Sequence, residues 1–320
     1  MRRILLSVLF LVNLGWLSPA TAASQVLRMH HDMPADSALH KGVMVFKQLV
    51  EARSQGQYRV EVFAANSLGD DLEVVQQLQI GAVQAAPIPS AKLSNLAPAL
   101  QMLDLPFLFA SEASADRFMD GPAGARLLAT LPARGLVGAS FWESGFKQMT
   151  CQNVLSRPSG LKGAHVRVME SPILAAQFRA VGGLPVTVSF AETYIALQQG
   201  MVNCQENPIV SIAKMRLHEV QNEIWLSRHG YLGYVFLFSQ HWLRQQPPAM
   251  QALLMQAARD AALEQRRIAR EEESTYLETI MASGKVRQID NPALLARMRN
   301  DMRSIYPQFR NAIGAGIFDA

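Results

Sequence analysis

Cysteine is nearly absent: the 320 residues contain two, Cys151 and Cys204. There is no Cys-x-x-Cys pair and neither cysteine has metal-ligand spacing, which excludes a disulfide-scaffold protein, a zinc finger and a thioredoxin-like redox centre. In an oxidising compartment the two can form one disulfide or stay as free thiols. Charge is also sparse, at 18% of residues with a net value of +4. So small a net charge gives no support to a nucleic-acid footprint, and no run of like charges suggests a polybasic arm. Past the N-terminus no apolar run reaches membrane-spanning length. GxSxG, HExxH, Walker and GxGxxG signatures are missing, and His218-Glu219 lacks the second histidine of a zinc helix. His30-His31, His218 and His229 have no spacing that converges on a metal. The expectation is a protein with no catalytic residues, no cofactor and no metal.

What is present begins with a leader. Met1-Arg2-Arg3 is a positive start, Ile4–Trp16 is apolar, Pro19 breaks the run, and Ala20-Thr21-Ala22 is a small-x-small cleavage pattern. Residues 1–22 therefore read as a signal peptide, with the mature protein exported to the periplasm. Its loss removes two of the positive charges.

The remaining length suits two lobes. Val26–His31 reads as a strand, Ala38–Arg53 as a helix, Tyr58–Phe63 as an alternating strand, Asp71–Leu78 as a helix stopped by Gly81, and Ala82–Ile88 as a buried strand. Glu112–Met119 and Ala123–Leu131 read as helices and Leu136–Trp142 as a strand, after which the chain crosses between lobes.

The β-α-β-α-β rhythm then repeats with a different sequence. His165–Met169 is a short strand. Ser171 and Pro172 suit the cap and first position of a helix that Gly182-Gly183 ends. Pro185–Ser189 is the next strand, and Ser189 with Glu192 spells a capping box. The helix after it stops at Gly200, and Met201–Glu206 is a third strand closed by Pro208. Such units pair their strands in parallel and collect ligands at the strands' carboxyl ends. Later, Val210–Glu219 is helical, Ile224–Ser227 and Tyr231–Ser239 are extended, and Pro248–Ser283 is one unbroken helix lying across both lobes. The chain closes on helices around Pro292–Ile305.

Arg167 stands inside an otherwise apolar strand. A guanidinium buried there must meet an anion. The protein can supply one itself, from Glu170 or Glu206, or the planar fork can clamp a ligand carboxylate.

These residues carry a family likeness. LRMHHDMPADSALHKG, SLGDDLEVVQQLQIGAVQ, LKGAHVRVMESP, VSFAETYIALQQGMVNCQENP and the late long helix resemble the DctP-type periplasmic solute-binding proteins of TRAP transporters. The resemblance implies an α/β, two-lobed periplasmic binding protein fold, type II-like, with crossing hinge strands and a long C-terminal helix spanning both lobes. It implies lobe I from residues 23–145 with 233–272, and lobe II from 146–232 with 273–320. It also implies a monomeric carrier of a small organic acid, delivering to small and large integral membrane subunits and binding no nucleic acid.

On this resemblance Arg167 pairs with the ligand carboxylate, Asn207 of QENP reaches the same group, and Phe190 forms an apolar wall. His31, Asp71 and Lys92 of the AAPIPSAKL loop edge the pocket from the first lobe. ESGFKQMT, with Lys147, and RHGYLGYVFLFSQHW, with His229, Tyr231 and Tyr234, look like the C4-dicarboxylate subgroup. Lys92 and Lys147 beside Arg167 then suit malate, succinate or fumarate. A monocarboxylate, 2-oxo acid, sugar acid or aromatic acid is the alternative, as is a sensory binding module. Asn203-Cys204 stands where the family has Asp-Gly, and Cys151 where it has a small or polar residue. Both fall on strands the resemblance makes neighbours, which favours a Cys151–Cys204 disulfide.

Overall fold

A computed structural model describes residues 24–319; the expected signal peptide lies outside the described residues. The first unit is β1 (Gln25–His30), α1 (Ala38–Arg53), β2 (Tyr58–Phe63), α2 (Asp71–Ile80) and β3 (Ala85–Pro89). Local chemistry sets its boundaries. The Ser37 hydroxyl accepts from the His40 N–H at the start of α1. Asp70 and Glu73 satisfy each other's backbone N–H groups at the start of α2, and Gly81 ends that helix with φ 81°. Both β2 and β3 run parallel to β1.

After α3 (Glu112–Met119) and α4 (Pro122–Leu128), β4 (Leu136–Cys151) leads into the second unit. This is β5 (His165–Val168), α5 (Pro172–Ala180), β6 (Leu184–Thr187), α6 (Thr193–Gln198) and β7 (Cys204–Pro208). Strands β6 and β7 run parallel to β5. Then follow α7 (Ile209–Lys214), β8 (Glu223–Ser239), α8 (Gln240–Leu243), α9 (Pro248–Ala282), β9 (Arg287–Gln288), α10 (Pro292–Arg303), α11 (Tyr306–Ile313) and α12 (Ala315–Phe318).

Strands β4 and β8 pair antiparallel along most of their length and join the two units into one sheet, ordered β2-β1-β3-β8-β4-β7-β5-β6. The sequence pattern breaks each of them into shorter pieces. Each is continuous because register shifts absorb the irregular residues, one of them between Glu143 and Gly145. Gly145 there has φ 116°, which a residue with a Cβ adopts only under strain. The Ser189 box forms in part: the Glu192 N–H donates to the Ser189 hydroxyl at 3.3 Å, but the Glu192 carboxylate accepts from that hydroxyl rather than from the Ser189 N–H, and α6 starts only at Thr193. The Ser171 side chain does not cap α5 but donates to Asp104.

Alternate residues of β8 feed two cores on opposite faces. Val235 and Leu237 join α2, α5, α10 and α11; Phe236 and Phe238 join α1, α7 and α9. Helix α9 has 35 residues and so reaches about 50 Å. It packs on α1 of the first unit and α7 of the second. Its polar middle faces the crossing strands. Gln265, fully buried, donates to the Glu143 carbonyl at 2.7 Å and accepts from the Glu143 N–H at 2.8 Å. Arg266 grips Asp120 at 2.7 and 2.9 Å and the Phe141 carbonyl at 2.8 Å, while Arg270 joins Asp116 to Glu143.

Cys151 and Cys204 face each other across β4 and β7 and form a disulfide. They are 53 residues apart in sequence, a loop whose closure contributes about 4 kcal/mol by restricting the unfolded chain. Replacing both with serine should lower the unfolding free energy by up to about that amount. Urea denaturation of the oxidised wild type against the double variant measures it, and equal midpoints would refute a stabilising role.

Candidate functional site

Both parallel units aim the carboxyl ends of their strands at the same cleft. From the first come Asp32 after β1, Asp71 at the start of α2, and Pro89 and Lys92 at the end of β3. From the second come Met169 after β5, Phe190 after β6, and Asn207 and Ser211 at the end of β7 and in α7. Leu232 and Tyr234 of β8 line it between them. The walls are close together and leave a cavity of about 250 Å³. Several contacts join the units across this gap. Lys92 pairs with Glu170, Ser171 donates to Asp104 at 3.4 Å, and Lys214 pairs with Asp36 at 2.7 Å.

Arg167 is 1% exposed. Its Nε donates to the Val188 carbonyl at 2.9 Å, and its guanidinium carbon lies 6.0 Å from the centre of the Phe190 ring. Its Nη2 is buried without a hydrogen-bond partner. Burial pulls its pKa down to about 10, with Glu170, Glu206 and Asp71 opposing the shift from a distance. It stays cationic at neutral pH. Among the described residues no carboxylate forms an ion pair with it, because the two that could are engaged elsewhere: Glu170 by Lys92 and Glu206 by Lys147.

Glu206 sits at the centre of a buried network. It accepts from Lys147 at 2.9 Å, from Gln177 at 3.0 Å and bonds His229 at 2.7 Å, with Ser227 behind that histidine. Burial alone would raise its pKa, but Lys147 and His229 hold the carboxyl down at about 2. Asp104 is the reverse case. Burial pushes it up to about 7 against the pull of Lys147, and its Oδ1 has no partner.

Of the candidates from the sequence, Asp71, Lys92, Phe190, Asn207 and Tyr234 line the cavity, and Arg167 lies behind Phe190. Four others do not reach it. Lys147 and His229 are bound up with Glu206. The buried imidazole of His31 bonds His40 of α1 at 2.9 Å. Tyr231 packs its ring edgewise on Phe109 and Phe146. The expectation of three unengaged cations around a diacid is therefore corrected: Lys92 and Lys147 each carry an internal counter-ion. Asp32, missed from the sequence, is the residue at the carboxyl end of β1, one place beyond His31; strand topology was the signal that could have found it.

The likeness to known proteins accords with this geometry. The profile of DctP, "Bacterial extracellular solute-binding protein, family 7", matches residues 29–312. The chain belongs to this family. It is 32% identical over 267 residues, 83% of this chain and 80% of the relative, to the C4-dicarboxylate-binding periplasmic protein DctP of Rhodobacter capsulatus. A TRAP periplasmic solute-binding protein of Sulfurospirillum deleyianum with bound succinate superposes with a TM-score of 0.88 at 30% identity, covering 93% of this chain and 98% of that one. The sugar acid binding protein DctPAm of Advenella mimigardefordensis, in complex with galactonate, superposes at 0.87 with 30% identity, covering 92% and 97%. The DctP-family fold is two-lobed, and its members bind small organic acids and work with membrane subunits. No helix among the described residues is long and apolar enough to cross a membrane.

Two predictions follow from the buried charges. Lys147→Ala strands Glu206 in the interior and should destabilise the fold by about 3–5 kcal/mol, read by urea denaturation; an unchanged midpoint would contradict the network. Asp104 binds its proton more tightly folded than unfolded, so its contribution is present below pH 4 and is lost as pH rises through about 7. Asp32, raised by burial to about 7, acts in the same direction. The contribution of Glu206 runs the other way, present above its ordinary range and lost only as pH falls towards 2. The melting temperature should therefore decline between pH 5 and 8, and Asp104→Asn should flatten the decline. A wild-type curve that rises over that interval would show the sign to be wrong.

Proposed function

We propose that this protein is the periplasmic binding subunit of a TRAP transporter, capturing a small organic acid between its lobes and passing it to the membrane subunits. The observation that carries the reading is Arg167: a buried guanidinium with a free Nη2, at the carboxyl ends of parallel strands, beside a cleft between two α/β units. A ligand carboxylate satisfies that nitrogen, and Asn207 adds a neutral donor to the same wall. The lobes comprise residues 23–145 with 233–272 and residues 146–232 with 273–320, hinged at the crossing strands. Because the walls stand so close, entry requires them to part, and closure over the acid seals it from water. The protein works as a monomer without cofactor or catalysis, exported with its leader removed.

The ligand class is a C4-dicarboxylate such as malate, succinate or fumarate, the class named for the Rhodobacter relative. Arg167 takes one carboxylate. The second lies beside Lys92, which lines the cavity and pairs with Glu170. Calorimetric titration and thermal shift with malate, succinate, fumarate, pyruvate, galactonate and an aromatic acid test this reading. A C4-dicarboxylate should stabilise the wild type, and Arg167→Ala should weaken its binding at least about 100-fold while the far-ultraviolet spectrum stays native. Binding that survives this substitution, or a folded protein that no acid stabilises, would overturn the proposal.

A further inference from the structure

The two walls of the cavity differ in chemistry. The second-unit wall has the amide of Asn207 and the ring of Phe190, with the guanidinium of Arg167 next to that ring. The first-unit wall presents two carboxylates, Asp32 and Asp71, 5% and 3% exposed. Asp71 Oδ1 is buried with no hydrogen-bond partner. Asp32 is touched by the Tyr234 hydroxyl at 3.3 and 3.5 Å, contacts long enough to be weak. The cation on this wall, Lys92, already pairs with Glu170.

Acceptors without donors in a closing cavity call for a ligand that brings donors. A bare methylene or vinyl carbon brings none. Burial and mutual repulsion raise both carboxyls, so the pair holds a proton; a hydroxyl can accept from the protonated member and donate to the other, which a bare carbon cannot. We propose that Asp32 and Asp71 form a hydroxyl-recognising end of the cavity, so that the ligand is a hydroxylated acid whose carboxylate faces Arg167 and whose hydroxyl faces the aspartates. This inference rests on the carboxylate capture proposed above and narrows it: malate is favoured over succinate and fumarate. Discrimination of this kind is strong, because an analogue lacking the hydroxyl leaves buried polar groups unpaired.

The groups facing the pair are Tyr234 on β8, Lys92 after β3, Glu170 after β5 and Asp70 beside Asp71. A plain charge effect of the aspartates would thus be shared by malate and succinate, which carry equal charge, whereas recognition of a hydroxyl would not.

The test is calorimetric titration of the full mature protein at fixed pH with L-malate, D-malate, D-erythronate and succinate, repeated on Asp71→Asn and Asp32→Ala. At least one hydroxylated acid should bind ten-fold or more tighter than succinate. Each substitution should cut the malate-over-succinate preference at least five-fold, with far-ultraviolet circular dichroism and a cooperative thermal melt reporting that the variant is folded. Succinate binding as well as every hydroxylated acid, or variants that lose all acids in equal proportion, would overturn the inference while leaving carboxylate capture intact. No binding by any of the four acids would overturn both.

Discussion

A guanidinium that is fully buried and remains charged needs negative charge around it, and the placement of nearby acids decides where that charge comes from. Glu206 and Glu170 are near enough to Arg167 to oppose the fall in its pKa, yet neither touches it. Lys147 and His229 hold the first and Lys92 the second. The internal acids are matched to internal bases, and the arginine keeps one nitrogen for a visitor. The Val188 carbonyl fixes the orientation of the fork without neutralising it. Removing one member of these pairs would release a carboxylate towards Arg167, so the lysines guard the site, Lys92 from its lining and Lys147 from outside it.

That arrangement explains how much of the site could be read from the sequence. Arg167 stood out because a charge in an apolar strand is an anomaly, and its strand's place in a β-α-β-α-β unit put it near ligand-collecting ends. Phe190, Asn207, Asp71 and Lys92 follow the same topology together with the family likeness. Lys147 looked like a third free cation because its partner Glu206 is 59 residues away, a distance over which sequence pattern says nothing of pairing. His31 and Tyr231 fail for a local reason: the residue that reaches the cleft is the neighbour one or three places on, Asp32 or Tyr234, and alternation along a strand sends the others to packed surroundings.

The fold was legible wherever punctuation was strong. Helices α1 and α3 and strand β2 coincide with their expected limits, set by Ser37, by Ser111 and by the turn at Gly56. The long strands were not, since Glu143-Ser144-Gly145 and Arg228-His229-Gly230 carry glycine and polar residues that read as loops. Their continuity depends on register shifts against a partner strand, a tertiary property. The long α9 was expected to lie across both lobes, and its polar stretch meets the backbone and side chains of the crossing.

Gln265 has a consequence for how such a molecule can move. One side-chain amide holds both the carbonyl and the N–H of Glu143, at the place where β4 shifts register against β8. Two bonds to a single residue fix direction as well as position, so α9 and the strand cannot slip past each other there. The hold at Glu143 is carried outward along α9, which packs on α1 and on α7 to either side.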